Sequence, residues 1–267
     1  MKSFLIVFFF LFAVINVFPQ NSWLLLFDDD DLLPEVKLYY QRVKDDNGDI
    51  VLSSKFHNQL KQIKSNNYLD SLVFWVSSYG GLKKTNDSIA VVYELRGNDL
   101  TGTVGSYPIQ FLDTNTNEHL IYFTGSSFLS NNSFSIQQPF TLILTIRQNE
   151  PDEEEYIFHS LSNDDYSIST NKKNELTVEA GKKLKAGELD HNVKTIIIEF
   201  NGDNSKVFIN NELSASGKLD PKELNGILVG KNNKNKPDYF SGYLYNCGIF
   251  NCIISDNFRT NLFNILN

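Results

Sequence analysis

The chain has 267 residues, 41% hydrophobic and 13% aromatic, which suffices for a large packed core and excludes a disordered polymer. Its formal net charge of −8 excludes the basic footprint that nucleic-acid binding requires. Residues 1–20 read as a signal peptide. Lys2 supplies a positive start and Phe4–Val14 an apolar run of the right length, too short for the roughly 20 residues a membrane helix needs. An uncleaved anchor, helped by Trp23–Phe27, is the alternative. No later run could span a bilayer, so the protein is expected outside the cell, secreted or periplasmic. Residues 21–33 read as a linker. Its acidic run Asp28–Asp31 is a solvated stretch in preference to a hard-cation site, because no turn glycine alternates with the acids.

Residues 34–85 are expected to form a small helical segment packed on the remainder of the chain. Pro34 suits a first turn, and Val36, Leu38, Tyr39, Tyr40 and Val43 come after it. Asn47–Asp49 makes a turn, after which Ser53 or Ser54 can cap a second helix carrying Phe56, Leu60 and Ile63 on one face. His57 beside that face reads as a polar or partly buried imidazole. Leu69–Ser77 is a buried strand or packed connection, and Trp75 is expected to anchor the helical pair to the rest.

From residue 86 the pattern changes to strands and turns. Ile89–Leu95, Ile121–Phe123, Phe140–Arg147, Tyr156–His159, Ser167–Ser169, Leu176–Ala180, Val193–Phe200, Lys206–Ile209, Gly226–Val229 and Gly242–Phe250 are short and rich in β-branched or aromatic residues. Asn- and Asp-rich turns separate them, as at Asn171–Asn174 and Asn201–Asn204. Tyr239–Ser255 is a closing strand with apolar residues on both faces, and Ser255 can cap a short amphipathic C-terminal helix. Cys247 and Cys252 lie five positions apart and so face opposite sides of a regular strand; no disulfide is expected.

Two resemblances accompany this reading. Pro139–Gln148, Val193–Gly217, Gly226–Asn232 and Tyr239–Ser255 are similar, in that order, to the strands of laminin-G-like, concanavalin-A-like lectin-glucanase domains. That likeness covers about residues 121–267 and implies a jelly-roll sandwich over 86–267. It also implies core positions for Leu244, Cys247 and Ile249 and a surface turn for Cys252. The stretch from Glu35 through Gly81 to Gly105 resembles a segment of Bacteroidetes phage-structural and associated extracellular proteins. The fold class expected is all-β: a concanavalin-A-like jelly-roll sandwich with a helical N-terminal segment and a short C-terminal helix.

Chemistry is sparse. Glu153–Tyr156 comes after Pro151 without strand alternation and reads as a solvated loop, and Glu188-Leu189-Asp190-His191 as a polar loop before the next strand. His57, His119, His159 and His191 are scattered without metal-ligand spacing. No catalytic residue, metal ligand or cofactor is assigned, and the ligand-binding residues stay unidentified. Calcium is possible at the rim loops Asn163–Asp165, Asn201–Asn204 and Asn232–Lys236, with Tyr166 or Tyr239 exposed to stack on a sugar. Asn86-Asp87-Ser88 and Asn131-Asn132-Ser133 match the glycosylation pattern. The function expected is a secreted, non-catalytic module binding a polysaccharide, a cell-surface glycan or another surface partner. The alternatives are a divergent polysaccharide hydrolase or lyase, and a structural component of an extracellular or virion-like assembly.

Overall fold

The computed structural model describes residues 32–267, apart from 52, 115, 152, 162–165 and 235. The leader, most of the linker with its acidic run, and the Asn163–Asp165 loop lie outside the described residues. The chain opens with helix α1 (Pro34–Asp45), strand β1 (Asp49–Ile50) and helix α2 (Ser53–Ser65). Then come β2 (Leu72–Ser77), β3 (Gly81–Thr85), β4 (Ser88–Val92), β5 (Leu100–Gly102), β6 (Ile109–Asp113) and β7 (Glu118–Thr124). The middle holds β8 (Leu129–Gln137), β9 (Phe140–Gln148), β10 (Glu155–Ser160), β11 (Tyr166–Thr170), β12 (Glu175–Ala180) and β13 (Lys182–Glu188). The last strands are β14 (Lys194–Phe200), β15 (Ser205–Ile209), β16 (Glu212–Gly217), β17 (Glu223–Val229) and β18 (Ser241–Phe250), and helix α3 (Asp256–Leu266) ends the chain.

Every pairing is antiparallel, and the strands fold into the two layers of a jelly-roll sandwich. One layer runs β6-β7-β18-β9-β14-β15-β16, with β2 sharing one edge of β18 with β7. The other runs β1-β3-β4-β5-β8-β17-β10-β11-β12-β13, and the Ser88–Ile109 pairing joins the two at one margin. Strands β2 and β3, grouped by their sequence with the helical segment, therefore hydrogen-bond into the sheets.

The pleat of the first layer builds two cores. In β9, Leu142, Leu144 and Ile146 enter the core between the sheets, while Ile143 points to the opposite face, under the helices. In β14, Ile196 and Ile198 go inward and Ile197 outward in the same way. The outward set packs against Val36, Tyr39 and Val43 of α1, Phe56, Leu60 and Ile63 of α2, and Phe258 and Leu262 of α3. A continuous apolar strand is thus the sequence mark of a sheet covered on both faces. The anchoring expected of Trp75 is present, since it is fully buried in this second core.

Strand β18 serves both cores through a bulge. Leu244 pairs with Ile146, yet Asn246 pairs with Thr145, so Tyr245 is an extra residue. The shift lets Leu244, Cys247 and Ile249 all enter the inner core, while Tyr245 and Phe250 join the outer one. Both cysteines are free, Cys247 buried and Cys252 half-buried. Burial also pushes the Cys247 thiol well above its ordinary pKa. A thiol reagent should accordingly titrate one cysteine in the native protein and the second only on unfolding. Two fast-reacting thiols in the native state would contradict this packing.

The Ser255 hydroxyl accepts the Phe258 N–H at 3.3 Å, capping α3 as expected. The capping expected of Ser53 or Ser54 is displaced by the helix bounds. Helix α2 already includes both residues, and what precedes Ser53 lies outside the described residues.

Candidate functional site

The outer face of the first layer is only partly covered by helices. The same face carries three half-buried aromatic rings on neighbouring strands: Phe111 of β6, Tyr122 of β7 and Tyr243 of β18. Tyr122 and Tyr243 are directly opposed in register, which brings their rings to 4.8 Å. Phe111 closes the group at 5.1 Å from Tyr243 and 6.2 Å from Tyr122. Arg147, opposite Tyr243 on β9, lays its guanidinium over that ring at 4.2 Å. Arg147 Nη1 also donates to Asp113 Oδ2 at 3.3 Å.

At the end of β9 the surface opens into a cavity of about 390 Å³, lined by Arg147, Gln148, Asn149, Glu150, His191 and Tyr243. Asn149 Nδ2 donates to Tyr122 Oη at 3.4 Å and Ser241 Oγ at 2.9 Å, tying the rim to the aromatic group. Beneath lies a buried polar layer. Gln148 Nε2 donates to Glu155 Oε2 at 2.9 Å and Thr170 Oγ1 at 2.6 Å, and the same Glu155 oxygen accepts the Ser241 N–H. Next to the platform, Asp113 and Glu118 stand directly opposite on the β6–β7 hairpin. Glu118 is held by Lys55 Nζ at 2.5 Å and by the Tyr79 hydroxyl at 3.1 Å. Burial raises the phenol pKa of Tyr245 below, with Arg147 pulling it the other way.

The positions singled out in the sequence fare unequally. His191 reaches the cavity wall, whereas Asp190 is engaged with Lys194 at 2.8 Å and Glu188 is exposed at the end of β13. Glu153–Tyr156 is not simply a solvated loop. Glu153 and Glu154 are exposed, but Glu155 and Tyr156 begin β10 and are buried. Tyr166 is not an exposed stacking ring either: it is 1% exposed, packed on Phe140 and Phe200. Tyr239 is half-buried. His57 and His159 are buried, at 1% and 3% exposure, while His119 is exposed.

The rim loops close on themselves. Asn201–Asn204 is a short 3-10 turn in which Asp203 pairs with Lys218 at 2.6 Å. Asn232 is buried and binds its own loop through Asp238 and the Lys234 N–H. Among the described residues no three His, Cys, Asp or Glu side chains gather where they could share a metal ion. Of the two glycosylation patterns, Asn131 cannot take a glycan, because its amide donates to Asp99 O and its carbonyl accepts from Ser133 and Phe134. Asn86 is exposed in the β3–β4 turn.

A second cavity, of about 350 Å³, lies beside α1 between Leu38, Arg42 and Arg96. Its cations are committed: Arg42 grips Asp99 with both carboxylate oxygens at 2.8 Å, and Arg96 holds the carbonyls of Leu69 and Leu72. The aromatic groove has no assignment in the sequence because it draws on strands far apart in the chain. The usable signal is alternation: Tyr122 and Tyr243 each sit one position from a core residue, so on a strand they must face the other way.

No protein-family model matches the sequence, and no curated protein does. Solved structures do match. Trypanosoma rangeli sialidase in complex with sialic acid aligns with a TM-score of 0.55 at 13% identity, over 78% of this chain and 38% of that one. The chain thus spans well under half the sialidase's length. Domain 4 of AbnA, a GH43 extracellular arabinanase from Geobacillus stearothermophilus in complex with arabinotriose, aligns with a TM-score of 0.54 at 13% identity. That match covers 72% of this chain and 98% of the domain. The binding domain of botulinum neurotoxin DC in complex with SialylT gives 0.53 at 14% identity, over 74% of this chain and 52% of that one. Nothing in these matches supports the N-terminal resemblance to phage-structural proteins. What they establish is the fold, a β-sandwich shared with domains of carbohydrate-active and glycan-binding proteins.

Proposed function

We propose that this chain is a secreted, non-catalytic glycan-binding module and that the groove around Tyr243 is its sugar site. One observation carries the reading: three half-buried aromatic rings gather at the cavity beside Arg147, whose N–H groups not turned to Asp113 can donate to sugar oxygens, with the Asn149 side-chain carbonyl at the rim as an acceptor. An apolar ring face fits the C–H face of a sugar ring while rim donors fix its hydroxyls, the usual division of labour in a binding site. The sugar-bound states of the arabinanase domain and the toxin domain add support by analogy of fold. The leader read in the sequence suits a protein that meets polysaccharide outside the cell.

A glycan array with calorimetry on the bound sugar tests this. Tyr243→Ala is expected to weaken binding about tenfold or more, equivalent to about 1.4 kcal/mol, with thermal melting run alongside because the ring also packs on Phe111, Tyr122 and Arg147. Binding that ignores Tyr243→Ala would remove the groove from consideration.

A second reading is a retaining glycoside hydrolase, favoured by the direct opposition of Asp113 and Glu118 beside the platform. Against it, each carboxylate already has a cation, Arg147 for one and Lys55 for the other. Reducing-sugar release by the wild type that is abolished in Glu118→Gln would establish catalysis instead.

A further inference from the structure

We infer that Asp113 makes this groove selective for neutral over anionic sugars; the inference rests on the glycan-binding reading above. Arg147 is the one permanent cation lining the cavity among the described residues, and so the natural partner for a sugar carboxylate. It is already engaged. Asp113, whose side chain is 8% exposed, accepts from Nη1 at 3.3 Å, and the guanidinium face rests on Tyr243. Because Asp113 is almost fully buried, its charge is weakly screened by salt and offsets that of Arg147 at the cavity wall, which lowers the attraction for an incoming carboxylate.

The wider surroundings act in the same direction. Around the groove stand Arg147 and Lys55 against Asp113, Glu118, Glu150 and Glu155, two cationic side chains to four acidic ones. Asp190 and Lys194 cancel each other nearby. Gln148 adds to this asymmetry. Its NH2 is turned to Glu155 and Thr170, and its buried carbonyl oxygen has no partner among the described residues. The floor therefore carries acceptors and negative charge, while the remaining N–H groups of Arg147 stand at the rim beside the Asn149 carbonyl. Hydroxyl groups, which both donate and accept, suit that arrangement. A carboxylate or sulfate, which only accepts, does not.

The test uses the full chain on an array of matched pairs: neutral oligosaccharides and the same oligosaccharides extended by a uronate or sialate. The wild type is expected to bind neutral members, and the added acidic sugar to reduce binding about tenfold. Asp113→Asn, which frees Arg147 from its counter-ion, should shrink that difference at least threefold. Glu150→Gln, on the exposed rim, should shift it the same way by less, and it serves as the test if Asp113→Asn does not fold. Equal or tighter binding of the acidic members, lost in Tyr243→Ala, would overturn the selectivity while leaving the groove in place. An unchanged neutral-to-acidic ratio in both charge variants would overturn the role of Asp113. If no glycan binds, or if Tyr243→Ala has no effect on binding, the groove reading fails and the selectivity fails with it.

Discussion

Replacing Trp75 by alanine is expected to cost about 3–5 kcal/mol, measured by urea or thermal denaturation of the full chain, and to loosen the helices before the sandwich. The indole is fully buried on the outer face of β2, directly opposite Gly248 of β18. Gly248 has no Cβ because the Trp75 ring occupies that space, so the two residues form a single packing unit. The indole N–H has no hydrogen-bond partner among the described residues, and the loss is therefore one of packing rather than of a polar contact. Two companion variants separate these contributions. Trp75→Phe should recover part of the stability, and Gly248→Val should destabilise by overpacking although it adds apolar volume. A Trp75→Ala protein within about 1 kcal/mol of wild type would mean that the helices do not depend on this contact. Hydrogen exchange would show the order of loosening, with α1 and α2 amides losing protection before those of β9 and β14.

The same region shows which parts of the fold can be read from the sequence. Strands β9 and β14 are legible because both faces are covered, and continuous Ile and Leu runs leave few alternatives. Strand β8, Leu129–Gln137, is not, since Asn132, Ser133, Ser135 and Gln137 face solvent and only Leu129, Asn131 and Phe134 are buried. Polar strands such as β13 and β16 are hidden for the same reason: their side chains report water on one face, and the backbone pairing that makes them strands leaves no mark in composition. The bulge at Tyr245 is a third case. Period-two alternation cannot place Leu244 and Cys247 on one face, and only the likeness to laminin-G-like domains suggests it. The groove depends on register between strands distant in the chain, as with Tyr122 and Arg147 on either side of Tyr243, and a single sequence holds no local trace of that pairing. Tyr166 shows the converse error. A tyrosine after an Asn-Asp-Asp turn suggests a rim platform, yet its hydroxyl donates to Lys222 O and accepts from Gln138 Nε2, so burial leaves its polar end satisfied.

Glu94→Ala is the second substitution with a large expected effect, about 2–4 kcal/mol, and it acts through hydrogen bonds rather than through an apolar side chain. Glu94 is fully buried, and its carboxylate is the acceptor for three backbone N–H groups: Trp75 at 2.8 Å through Oε1, and Arg96 at 2.7 Å and Asn98 at 2.9 Å through Oε2. The Trp75 N–H is buried and costs about 1–3 kcal/mol if left unpaired, while the part-buried Arg96 and Asn98 donors lose the acceptor that holds their loop in place. The consequences spread along Glu94–Asp99. Its own N–H donates to Asp99 Oδ1, the same carboxylate grips Arg42 of α1, and Arg42 also binds the Glu94 carbonyl. Arg96, the next but one residue, holds the carbonyls of Leu69 and Leu72 where the chain leaves α2 for the sheet. One acidic side chain thus fixes the loop that ties α1 to β2 and positions Trp75 over Gly248. Glu94→Gln should be milder than alanine, because its amide oxygen can serve the Arg96 and Asn98 donors while its NH2 must face the Trp75 N–H. Native-state hydrogen exchange gives the specific readout, with the amides of Trp75, Arg96 and Asn98 losing protection in the alanine variant. A Glu94→Ala protein as stable as wild type, with those amides still protected, would show that the backbone finds other acceptors and that this carboxylate does not organise the junction.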